Sequence, residues 1–134
     1  MLDFNNEIFT TVATDARNNH VGITVIGESV RKPSKFPTLT IDETENVMVG
    51  NLEDSSKEEK FAGLTYKIQV FSNKQSGKKA EARAIFATAD ATMRRMGFQR
   101  VTFTVTPEIY ESTVYQITAT YEAVVSAAGY VYER

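Results

Sequence analysis

The chain has 134 residues, 42% of them hydrophobic, 10% aromatic and 24% charged, with a net charge of −2 and no cysteine. That length buries roughly two-thirds of the surface of its unfolded chain, enough for one core without disulfide staples, and the composition is that of an ordinary globular domain. Zinc-thiolate sites and cysteine nucleophiles are excluded, no run is long and apolar enough to span a membrane, and the first residues lack the pattern of a signal peptide.

Phe4, Ile8, Phe9, Val12, Ala13 and Ala16 recur at helical spacing and predict an amphipathic helix over 3–19. Asp3 is its expected N-cap, and Asn18-Asn19 its stop, since asparagine tolerates the left-handed conformation. Val21, Ile23 and Val25 alternate with Gly22, Thr24 and Ile26 as a short strand, followed by a polar, basic turn with Pro33. Extended structure resumes at 36–41. Pro37 lacks an amide hydrogen, which places it at the start of that strand or on an edge.

Residues 45–60 break the pattern, with Gly50, Asn51, Ser55 and Ser56 set among charges. They are expected to form a long acidic loop that orders in an assembly. Residues 61–73 give the clearest strand, Leu64, Tyr66, Ile68 and Val70 alternating with polar neighbours. Lys78 to Met96 is a strong helix whose buried stripe is Ala82, Ile85, Phe86, Ala89, Met93 and Met96, with Ser76 its expected cap and Gly97 its C′ residue. Val101, Phe103 and Val105 alternate with threonines up to Pro107. A long last strand places Tyr115, Ile117, Ala119, Tyr121, Ala123 and Val125 on one face, joined to the previous strand as a hairpin through 106–113. Residues 127–134 are expected to project as a flexible tail.

The order α-(β)-β-β-α-β-β describes a single domain over 1–134. Its expected fold is an α+β two-layer sandwich, with a mostly antiparallel sheet of four or five strands and two helices on one face.

Charge is distributed unevenly. Residues 42–60 carry seven acids and two lysines, a net −5, while residues 61–100 carry eight bases and two acids, a net +6. Glu53, Asp54, Glu58 and Glu59 are the candidate subunit-contact or channel-lining acids. Lys74, Lys78, Lys79, Arg83, Arg94 and Arg95 are the candidate complementary basic surface. The two roles of the acids make opposite demands: neutralising all four weakens assembly in the first and spares it in the second.

Catalytic motifs are thin. The single histidine, His20, sits at a helix–strand junction, and no Gly-x-Ser-x-Gly elbow occurs. Ser76-Gly77-Lys78-Lys79 fails as a phosphate loop, with Ser72 where glycine is needed and Lys79 where Ser or Thr is needed. The chain is read as a non-enzyme that needs no cofactor or metal. The basic segment lacks the pattern of a helix-turn-helix or of an aromatic RNA-binding sheet.

Val70-Phe71-Ser72-Asn73-Lys74, Ser76 to Ala82, Met96-Gly97-Phe98 and a final strand with Tyr115, Tyr121 and Val125 together resemble the small tail-completion proteins of tailed bacteriophages. These are often labelled minor capsid proteins and are similar in layout to tail terminator proteins. About half of the chain carries the resemblance by motif and the rest by element order. Thr120 and Gln116 stand where the family pattern has basic residues.

The resemblance implies a structural virion protein, built in the host cytoplasm and placed in the tail or neck. It implies a homo-oligomeric ring, usually of six subunits, that caps the head-proximal end of the tail tube, stops tube polymerisation and offers a joining surface to the neck. Its expected partners are further copies of itself, the tail tube protein and the neck connector proteins, with DNA passing through unbound and no membrane. The alternatives are a head-side connector, a minor capsid protein of the neck, or a binding module outside any virion.

Overall fold

The structure, a computed structural model, describes residues 2–49, 61–106, 113–126 and 131–132. In chain order the elements are α1 (Asn5–Asn19), β1 (Thr24–Ile26), β2 (Thr38–Val49), β3 (Phe61–Ser72), α2 (Lys78–Arg95), β4 (Gln99–Thr106), β5 (Tyr115–Ser126) and β6 (Val131–Tyr132). The sheet order is β1-β2-β3-β5-β4, with β6 paired to β5. Every pair is antiparallel except β1 with β2, so the sheet is mixed.

Both helices cover one face, which makes an α+β sandwich of two layers. Leu39 and Ile41 of β2, Ala62 to Val70 at alternate positions of β3, and Ile117 to Val125 at alternate positions of β5 meet Ile8, Val12 and Ala16 of α1 and Ala82, Ile85, Phe86, Ala89 and Met93 of α2 in a single core. The register explains the sharing of faces: Leu64 lies opposite Ala123, Tyr66 opposite Tyr121 and Ile68 opposite Ala119, and directly opposed residues point to the same side of a sheet. Tyr66 and Phe98 meet edge to face at 5.5 Å, and the Tyr66 hydroxyl donates to Asn5 Oδ1 at 2.9 Å.

Several boundaries differ from the sequence reading. Helix α1 begins two residues later than expected, after Phe4, while Asp3 Oδ1 accepts from the Asn5 N–H at 3.1 Å. Asn19 does not turn left-handed; its side-chain amide donates to the Asp15 carbonyl at 2.8 Å, and Gly22 (φ 82°) takes the sharp turn instead. Val21, 99% exposed, lies in that turn, leaving β1 only three residues. Ser76 is not the cap of α2, since Gly77 (φ 99°) occupies that position. The C-terminus of α2 is closed as the glycine predicts: Gly97 N–H donates to Arg94 O at 2.9 Å and Phe98 N–H to Met93 O at 3.0 Å, a Schellman pair with both apolar ends buried.

The largest correction concerns 45–60. Strand β2 continues through Val49, pairing Asn46 with Leu64 and Met48 with Ala62 after a bulge between Glu43 and Glu45. Five residues of the expected loop are therefore strand, because pairing with β3 supplies what local alternation does not. The remaining stretch, 50–60, with its acids Glu53, Asp54, Glu58 and Glu59, lies outside the described residues. So does most of the expected tail, of which Val131–Tyr132 pairs with Val124 and Val125.

The other face of the sheet is polar and rich in threonine. Rows such as Thr40, Gln69, Thr118 and Thr104, or Asp42, Lys67, Thr120 and Thr102, run across it. The segment after β1 crosses one corner: Ser29 Oγ donates to Asp42 Oδ2 at 2.8 Å and Val30 N–H to Gln69 Oε1 at 3.0 Å.

Candidate assembly interface

Strand β4 forms one end of the sheet. It pairs with β5 on one side and has no strand partner on the other among the described residues. Gln99 to Val105 are exposed throughout, and Thr106 is half-buried. Val101 is 56% exposed and Phe103 38%, with Val105 beside them. The register sets Phe103 opposite Ala119 and Val105 opposite Ile117, on the helix side of the sheet. Phe103 meets Phe86 of α2 edge to face at 5.0 Å. The Arg83 guanidinium lies 5.5 Å from the Phe103 ring centre and that of Arg100 lies 5.9 Å away. These residues, with Ala87 and Asp90, line a cleft of about 430 Å³ between α2 and β4. Aromatic faces attract such cations, so the Phe103 ring helps to hold both guanidiniums at the cleft.

Asp90 fixes one wall of the cleft. Its Oδ1 accepts from the Tyr121 hydroxyl at 2.6 Å and from Arg100 at 3.3 Å, and its Oδ2 pairs with Arg94 at 3.1 Å. Burial, and then the neighbouring Asp90 carboxylate, raise the Tyr121 phenol far above its usual range, so it serves as a neutral donor.

The opposite end of the sheet is different in kind. Strand β1 covers only Thr38, Leu39 and Thr40 of β2. From Glu43 to Val49 the outer edge of β2 has no strand partner among the described residues. This stretch carries Glu43 and Glu45, then Val47 (55% exposed) and Met48 (61% exposed). Burial, followed by the nearby Asp3 charge, raises the Glu43 carboxyl above its usual range. Asn46 lies beside it and donates to the Leu2 carbonyl at 2.8 Å.

The six basic residues named from sequence do not form one patch. Lys74, Lys78 and Lys79 flank the start of α2, at the end of β3 remote from Phe61. Arg94 is engaged by Asp90, and Arg95 by Asp15 of α1, which also accepts from Thr92 at 2.8 Å. Only Arg83 stands at the β4 end, where its companion is Arg100, a residue outside the predicted set. Thr120 and Gln116 lie on the polar face, Thr120 bonded to Thr102 at 2.6 Å and Gln116 to Thr118 at 3.3 Å.

Sequence reasoning also passed over Val101 and Phe103 as surface groups. Their alternation with threonine is that of a half-buried strand, and only the sheet order places that strand at the edge. Comparison with family models and with curated proteins finds no match. Among the described residues, no helix is long and apolar enough to cross a membrane.

Proposed function

We propose that this protein is a structural subunit of a phage tail or a phage-tail-like particle. In this reading it is a tail terminator that closes into a ring at the head-proximal end of the tail tube, stops tube growth and presents a surface to the neck proteins. The observation that carries the reading is that one subunit bears two unlike sheet edges that are open among the described residues. One is apolar and arginine-flanked at β4; the other is acidic at its start and apolar at its end, on β2. Head-to-tail rings need two different surfaces on each subunit, whereas a two-fold dimer needs only one. The element order and the motifs around Ser76–Ala82 and Met96–Phe98 support the choice of family.

The direct test is to polymerise a tail tube protein with and without this chain and to measure tube length by electron microscopy. A terminator gives short tubes with one end capped. An unchanged length distribution at a molar excess of the chain overturns the terminator reading.

A further inference from the structure

We infer that β4 of one subunit adds to the open edge of β2 in the next, antiparallel, so that neighbouring sheets continue as one. The inference deepens the assembly reading by naming the partner of each edge as a second copy of this chain. Three features of the edges carry it.

Direction is the first. β2 with β3, β3 with β5, and β5 with β4 are all antiparallel, so β4 runs opposite to β2 within one subunit. When two sheets are laid side by side in the same orientation, β4 of the first therefore meets β2 of the second antiparallel, the better-aligned hydrogen-bonding arrangement. Length is the second: β4 has eight residues, and the stretch of β2 from Glu43 to Val49, which β1 leaves uncovered, is nearly as long. The register sets β4 level with Thr38 to Glu45, so the neighbouring subunit is displaced along the strands to bring the two stretches together.

Chemistry is the third. Native edges are usually blunted by charged side chains, proline, a bulge or a cover. β4 contains neither lysine nor proline, and it carries such devices only at its start, at Arg100 and the bulge beside it. It offers Val101, Phe103 and Val105 with Arg83 and Arg100 beside them. β2 offers Glu43 and Met48 on the helix side, which Phe103 and Val105 share, and Glu45 and Val47 on the polar side. The alternatives are worse matched. Joining β2 to β2 about a two-fold axis sets Glu43 and Glu45 of both copies along one seam, and like charges across strands repel. Joining β4 to β4 brings the Arg83 of both copies to one seam with no free acid beside them, since Asp90 is already engaged by Tyr121, Arg94 and Arg100.

The cysteine-free chain makes the test clean. Glu45→Cys and Val101→Cys are made separately, checked for native circular dichroism, and treated with a short bis-maleimide at high protein concentration, alone and mixed. The proposal expects a cross-linked dimer in the mixture and little in either variant alone. Strong cross-linking of Val101→Cys alone or of Glu45→Cys alone, or none in the mixture, overturns it. Native mass spectrometry of the unmodified chain separates the two claims. A closed ring without the mixed cross-link refutes the edge pairing and leaves the ring. The mixed cross-link without a closed species confirms the pairing and refutes the ring.

Discussion

Asp90 shows how one carboxylate can tie three elements together. It joins α2 to β5 through Tyr121 and to β4 through Arg100, while pairing with Arg94 one turn along its own helix. The exposed pairs count for little, but the hydrogen bond from a largely buried hydroxyl to a charged acceptor is worth more. Tyr121→Phe removes only that hydroxyl, so a loss of about 1–2 kcal/mol is expected in urea unfolding. A smaller loss would mean that the arginines alone satisfy Asp90.

Asp15 provides a pH signature. Its hydrogen bond from Arg95, then that from Thr92, holds the carboxyl below its usual value. Because the folded pKa is the lower one, its contribution to stability is present above the ordinary carboxyl pKa and is lost as pH falls through the folded value. Asp15→Asn should therefore lower the urea midpoint at pH 7 and leave it nearly unchanged at the lowest pH at which the chain stays folded. An equal loss at both pH values would assign the effect to packing. Glu43 has the opposite sign. Its raised carboxyl makes the charged form costly, and stability falls as pH rises through its folded pKa.

At the scale of elements, α2, β3 and β5 are legible in the sequence because each packs one face on the shared core and so carries its own periodicity. Helix α1 is legible for the same reason. What local pattern does not carry is pairing. Residues 45–49 look like the start of a loop because Glu45 and the Val47-Met48-Val49 run obey neither period, yet the ladder with β3 makes them strand. The alternation in β4 is legible too, but its place at the edge of the sheet, with no strand beyond it among the described residues, follows only from the sheet order. The candidate site was half legible: the charge asymmetry is visible in sequence, but the local pairing of Arg94 and Arg95 and the role of Arg100 depend on contacts between elements distant along the chain.

That edge position yields a prediction of its own. Val101 is exposed and sits at a bulge, so Val101→Lys should change folding stability by no more than about 0.5 kcal/mol. A lysine on an open edge opposes strand addition. The expected result is an unchanged urea midpoint with association weakened or abolished in sedimentation. Unchanged association would remove β4 from the interface.

For the whole molecule, the net charge of −2 conceals a difference in chemistry between the two ends of one sheet. The β4 end is apolar and flanked by Arg83 and Arg100, the β2 end carries Glu43 and Glu45, and the core between them holds the two edges in fixed relation. A contact between unlike surfaces either closes a ring or runs on as a filament. The most direct test of the central claim is native mass spectrometry over a concentration series, run on the unmodified chain and on Val101→Lys. A closed species, six-fold by the family resemblance, is expected for the unmodified chain and monomer for the variant. A twelve-fold ring would move the protein to the head side of the neck. A chain that stays monomeric, stops at a two-fold dimer, or assembles equally well with Val101→Lys would contradict head-to-tail pairing through β4.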